Sequence, residues 1–396
     1  MKAAPKVDRR HGKVPPWRDV RVLRVVAQVA ILLAVGLGVA YLINNLTTGM
    51  AERGFAFGFG FLDRRAGFEI GESPVPYSAS DTYGQAFLVG VLNTLFVSVV
   101  GIVIATILGI VIGVARLSPN WLVARTAAGY VELIRNTPLL LQLFLIYFIV
   151  LLQLPPVRDT IALPGSVFLN QRGLFVPGPQ MGSSFGPWLA LVAIGLVAAI
   201  GGRIASRWLA AHGRAGYRLG LVGLALLVLL AVGGWILPAE PPLAFDLPVR
   251  GRFNFSGGLA LSTSFTALLT GLVIYTAGFI AEVVRGGIQA VRRGQLEAAR
   301  ALGLSEGDTL RLIVFPQALR VIVPPLTSQY LNLTKNSSLA IAVGYPDLFK
   351  VGSTMANQTG QPVPVIALVM GTYLAISLAT SLLMNLYNRR VQVLER

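Results

Sequence analysis

Residues 82–115 read TYGQAFLVGVLNTLFVSVVGIVIATILGIVIGVA, 34 consecutive positions without a charge. A helix rises ~1.5 Å per residue, so about 20 apolar residues cross the hydrocarbon core of a bilayer. Lipid offers no partner to an unpaired backbone group, so a run of this kind is helical. A barrel strand would alternate in polarity over ~10 residues, and this segment does not. Six further uncharged runs of 21 to 38 residues follow the same logic: 25–51, 136–157, 173–202, 219–239, 253–281 and 351–388. The whole chain of 396 residues is 54% hydrophobic and 13% charged, with mean hydropathy +0.69. A soluble domain carries about twice that charge. The expected fold is an all-α membrane protein with about eight transmembrane helices, near 25–44, 89–115, 136–154, 186–202, 219–238, 260–281, 318–343 and 363–387. Pro324, Pro325, Asn332 and Lys335 interrupt the seventh.

The charges orient these spans. Eight crossings put both termini on one side, and that side collects 24 of the 33 Lys and Arg residues. Basic residues mark the cytoplasmic face, so both termini are expected inside. The net charge of +16 therefore belongs to the inner loops and tails. It does not form the basic face of a folded domain that nucleic-acid binding requires. The N-terminal tail carries Asp8 and Asp19, and the apolar run after it ends Tyr41-Leu42-Ile43-Asn44-Asn45 without a small-residue cleavage site, which reads as an uncleaved anchor. With no cysteine, neither disulfides nor a thiolate metal site is expected. His11 and His212 stand too far from other ligating or catalytic groups for a metal site or triad. No G-x-x-x-x-G-K-[ST] loop occurs, so this polypeptide is expected to carry no ATPase site or other enzymatic centre. The outer-side segments 45–88 and 154–185 are rich in Gly, Pro, Phe and Ser. They predict small ordered caps, with hairpin character at Val167-Phe168-Leu169 and Leu174-Phe175-Val176.

The inner loop after the sixth span carries the functional signal. From Ala281 to Pro325 it reads AEVVRGGIQAVRRGQLEAARALGLSEGDTLRLIVFPQALRVIVPP. It predicts two short helices joined by a tight turn. The first covers about 294–302. Gly303, lacking a Cβ, suits the left-handed position that ends a helix. Ser305 is an N-cap with Asp308 as its capping-box partner. The second helix is expected to run to Phe315 and close where Pro316 removes a donor. An ordinary capped connector would show these features too.

The order Glu297-Ala298-Ala299, then Gly303, then Ile313 and Phe315-Pro316, resembles the EAA loop of binding-protein-dependent ABC importer permeases. Three more segments are similar to the polar amino-acid branch of that family, the histidine, glutamine, glutamate and arginine uptake systems: Tyr130–Pro138, Ala281–Ile288 and Leu333–Leu339. The resemblance covers a five-helix core at about 85–153 and 259–390. Around it stand a basic tail at 1–24, an extra helix with its outer loop at 25–84, an insert with two more spans at 154–258 and a short tail at 391–396. This longer layout resembles the larger permease subunit of general L-amino-acid transporters. The resemblance implies a type I importer subunit in the bacterial inner membrane that moves polar L-amino acids into the cytoplasm. A separate ATPase dimer, holding ATP and magnesium, would dock on the coupling helix within 294–316, at Glu297, Ala298, Ala299, Gly303, Phe315 and Pro316. A periplasmic binding protein would deliver the solute, and a second, homologous permease would pair with this one. The rival reading is a secondary transporter or channel driven by an ion gradient. It predicts intramembrane carboxylates on several helices and leaves the EAA-like loop unexplained.

Ionisable groups inside spans are costly and mark candidate solute contacts. Glu282 could accept an ammonium, while Lys335 with Asn336, Ser337 and Ser338 could hold a carboxylate. The alternative for Glu282 is a pair with Arg285, at helix-neighbour spacing. For Lys335 it is another helix partner or snorkelling. Thr137 fits either the solute path or a plain N-cap before Pro138. The prolines of span seven fit either a broken helix lining a cavity or a packing kink.

Overall fold

A computed structural model describes residues 19–52, 58–212, 217–251 and 254–392. The basic tail at 1–18 with His11, and the C-terminal residues 393–396, lie outside the described residues. Among the described residues most are helical, with seven helices long and apolar enough to cross a membrane, or eight if one bent pair counts as a span. Helix α1 (Val20–Glu52) stands exposed along its length. It is followed by α2 (Tyr83–Ala115), α3 (Trp121–Arg135), α4 (Leu139–Phe144, continued by a π-helical stretch Leu145–Leu151), α5 (Phe185–Ala211) and α6 (Tyr217–Ile236). The second half holds α7 (Thr263–Gln289), α8 (Arg293–Ala301), the single turn α9 (Glu306–Asp308), α10 (Phe315–Asn336), α11 (Leu348–Thr359) and α12 (Pro362–Gln392).

The main core forms where α7 packs against α2, α3, α4 and α10. Apolar area gives little drive for helix association in lipid, so close approach rests on small residues. Gly101, Ala105, Gly109 and Gly113 recur every four positions on α2. A Cβ on Gly109 would sit 2.6 Å from Ile280, and one on Gly113 would sit 2.7 Å from the Ala281 carbonyl oxygen. That stripe is the seam between α2 and α7. The insert helices α5 and α6 pack chiefly on each other through a similar stripe, with Gly195 against Leu227, and Gly202 and Gly223 against backbone carbonyls.

Several expectations change. The third span is not one helix over 136–154: α3 and Leu139–Leu151 meet at 104° across the Asn136–Pro138 break. Thr137 is not the N-cap of α4. Its hydroxyl donates to the Leu133 carbonyl at 2.9 Å, closing the end of α3, while the N-cap position falls on Pro138. The helix after Ser305 does not close at Pro316. A π-helical turn Thr309–Val314 leads directly into α10, whose first turn holds Pro316, where a missing N–H costs least. Helix α10 likewise runs unbroken through Pro324 and Pro325. Arg203 and Arg207, assigned to an inner loop, ride on α5 instead.

The segments 154–185 and 237–262 hold more strand than the one expected hairpin. The expected hairpin exists as β2 (Val167–Asn170) and β3 (Gly173–Val176), in a four-stranded antiparallel sheet ordered β1 (Ile161–Leu163), β2, β3, β8 (Leu259–Ser262). Two-stranded ladders join β4 (Gly178–Met181) to β5 (Leu243–Asp246), and β6 (Val249–Arg250) to β7 (Phe255–Ser256). Strand β8 feeds α7, whose N-cap Ser262 accepts from the Phe265 N–H at 3.0 Å. The segment 58–82 is a strap: Phe61 and Ala66 join Tyr83, Ala86, Leu348, Val351, Met355, Val365 and Val369 in a second apolar cluster.

Candidate functional site: coupling elbow, charge clasp and cavity

Three constellations stand out among the described residues. The first is the elbow between α7 and α10. Helix α8 ends in a paired set of bonds, Leu304 N–H to the Ala299 carbonyl at 3.1 Å and Gly303 N–H to the Arg300 carbonyl at 3.0 Å. Gly303 has φ +73°, the left-handed conformation that this closure demands. Ser305 then caps α9 by accepting from the Asp308 N–H at 3.1 Å. On this scaffold Ala299 is buried, while Glu297, Ala298 and Pro316 face outward. Leu302 is 81% exposed, Leu310 55%, Leu312 58% and Phe315 58%. Leu302 stands beside the turn itself, while Leu310, Leu312 and Phe315 lie on the helical stretch that follows it.

The second constellation sits where α2, α3 and α7 meet. Glu282 on α7 is bound by Arg116, the C-cap of α2, and by Arg285 one turn onward; the Arg135 guanidinium at the end of α3 lies 3.9 Å away. Arg135 also lies 5.3 Å from the centre of the Phe279 ring. Both carboxylate oxygens of Glu282 are engaged by guanidiniums of the protein, the Arg285 pair weighed in the sequence among them. The pair with Arg285 was legible in the sequence. Arg116 and Arg135 were not, because sequence spacing does not report contacts across the fold.

The third is a cavity of about 700 Å³ between the end of α10, α11 and α12. Its wall is mostly apolar, with Phe349, Val365 and Val369, and its polar groups include Lys335, Ser338, Asn357 and Tyr373. Lys335 makes no ion pair among the described residues. Asn336 and Ser337 do not line the cavity. Ser337 is buried and donates its hydroxyl to the Thr334 carbonyl at 2.8 Å. Glu282 and Thr137 are likewise absent from this wall, so the residues grouped as a solute path divide between two places.

Behind the cavity Asp347 is fully buried, a position sequence reasoning missed. It caps α11 by accepting from the Lys350 N–H at 2.9 Å, and it accepts from the Tyr373 hydroxyl at 3.0 Å. Burial pushes its carboxyl up to about 6, against the opposing pull of those hydrogen bonds. Glu72 on the strap is also raised by burial, opposed by the Ser262 hydroxyl that donates to it.

A profile of the binding-protein-dependent transport system inner membrane component family matches residues 101–393. The chain belongs to that family. It is thus a multi-pass permease subunit of the inner membrane, and the elbow, clasp and cavity all fall inside the matched region. Two relatives cover nearly its full length. The general L-amino acid transport system permease protein AapQ of Rhizobium johnstonii is 47% identical over 378 residues, 93% of this permease and 92% of the relative. The glutamate/glutamine/aspartate/asparagine transport system permease protein BztB of Rhodobacter capsulatus is 43% identical over 410 residues, 96% of each. The likeness therefore includes α1, the strap and the insert, beyond the family core.

Proposed function

We propose that this permease is the transmembrane subunit of an ATP-binding-cassette importer that carries polar L-amino acids into the cytoplasm. A separate ATPase subunit, which binds ATP and magnesium, seats on the elbow through Glu297, Ala298, Ala299, Gly303, Phe315 and Pro316. The single observation that carries this reading is the closure of α8 at the left-handed Gly303, with Leu302 81% exposed beside it. Burying such a side chain against a partner removes apolar surface worth about 25 cal/mol per Å² from water. The continuous path from α9 through the π turn into α10 gives the docked partner a lever on the membrane helices.

Both termini face the cytoplasm, a reading supported by the distribution of Lys and Arg. A periplasmic binding protein presents the solute at the outer cap. A second, homologous permease completes the path, and the names of the full-length relatives support amino acids as the cargo. Within this chain the cavity beside Lys335 and Ser338 is the solute path, the ammonium of Lys335 holding the carboxylate of the amino acid. Co-purification tests the docking: Gly303→Val, which cannot hold the left-handed φ, should lose the ATPase subunit and uptake together. Retention of both in that variant refutes the assignment.

A further inference from the structure

We infer that Glu282 is a positioning residue for energy coupling: with Arg116, Arg135 and Arg285 it clasps α2 and α3 to α7, so that these helices follow the elbow when the ATPase moves it. The inference rests on the coupling reading above and adds the element that spreads the motion. The elbow is covalently continuous with only two membrane helices, α7 on one side and α10 on the other. Helices α2 and α3 have no segment in the elbow. They meet α7 through the small-residue seam of α2, through α3's own packing, where the Tyr130 hydroxyl donates to the Ile274 carbonyl at 2.7 Å and Ile134 lies against Gly278, and through the clasp, which ties both helices to one group.

The clasp has the chemistry of a joint rather than of a solute site. One carboxylate faces three guanidiniums, engages two of them directly and has the third 3.9 Å away. Charge-assisted, forked contacts of this type fix orientation as well as distance. Arg285 also donates to the Gln289 side chain at 2.6 Å, and Gln289 is the last residue of α7 before the elbow. The chain of contacts therefore runs from the elbow through Gln289 and Arg285 to Glu282, and from there to the ends of α2 and α3. Removing the carboxylate leaves three like charges facing one another where an attraction had been.

The test measures ATP hydrolysed per amino acid imported, in proteoliposomes holding the full complex with L-glutamine as probe. Glu282→Gln should raise that ratio about threefold or more, with hydrolysis persisting because the elbow still docks. The charge exchange Arg116→Glu with Glu282→Arg restores the link between α2 and α7 and should recover much of the lost coupling. Arg135→Gln removes only the longest contact and should raise the ratio less; it also serves if Glu282→Gln does not assemble. A clasp that merely stabilised the fold would lower hydrolysis and import together at constant ratio, and that result overturns the inference. Failure of the coupling reading itself is seen separately, in retention of the ATPase subunit by Gly303→Val.

Discussion

Gly109→Ala probes the α2–α7 seam on which the membrane core depends. The added Cβ would lie 2.6 Å from both Cβ and Cγ2 of Ile280, and 3.1 Å from the Ala277 carbonyl oxygen. Carbon atoms in contact prefer ~3.5–4.0 Å, so the helices must separate by roughly 1 Å or distort locally. Cβ of Ile280 is fixed to its backbone and cannot swing away as a side-chain tip would. Overpacking of this kind costs about 1–3 kcal/mol, and the helix-propensity gain of alanine over glycine returns about 0.5–1 kcal/mol. The net loss of about 1–2 kcal/mol should lower Tm by roughly 1–3 °C for a chain of this size. The control is Gly129→Ala on α3, where nothing lies within 4 Å of the added Cβ. That variant should be neutral or slightly stabilising. Tm is read from intrinsic tryptophan fluorescence of the protein in nanodiscs. Equal Tm values for the wild type and Gly109→Ala, or equal damage from both alanines, would refute the packing argument.

Other consequences follow from individual sites. Gly303→Asn should keep the ATPase subunit while Gly303→Val loses most of it, because open space surrounds the residue and only its left-handed φ is restrictive; co-purification yields decide it. Lys335→Ala should weaken amino-acid-stimulated ATP hydrolysis, and stimulation that survives intact removes the cavity from the solute path. Asp347 gives a pH dependence of defined sign. Its carboxyl rises from the ordinary 3.8 to about 6 on folding, so the stability it contributes is full below about 4 and is lost as pH rises through about 6. Asp347→Asn keeps a cap acceptor, and should remove of order 2–3 kcal/mol of the decline between pH 4 and 7. Thermal melts across that range compare the two slopes, and equal slopes would count against the assignment.

The sequence made the lipid-crossing helices legible because a bilayer imposes a length and a polarity that few other environments share. The turn at Gly303 and the cap at Ser305 were legible for a related reason, since local backbone chemistry decides them. The continuation of the helix through Pro316 was not, because a π turn shifts the hydrogen-bond register and turns an apparent stop into a first-turn proline. The bend between α3 and α4 was hidden for the opposite reason: Thr137 binds backward to Leu133, although its type and position suited a forward cap. Partners across the fold were out of reach. Nothing near Glu282 in the sequence points to Arg116, and nothing near Asp347 points to Tyr373. An ordered cap was expected over the strap at 58–82, but not that its Phe61 and Ala66 would pack against α2, α11 and α12.

Docking of a separate ATPase on the elbow is the claim from which the rest follows, and the absence of native cysteine makes it directly measurable. A cysteine at Leu302, 81% exposed on the elbow, would be the only thiol in this chain. Treated with a short thiol-to-amine crosslinker in intact membranes, it should join the ATPase subunit, while a cysteine at Phe245 on the outer cap should not. No adduct at position 302, in membranes that still import amino acids, would contradict the account.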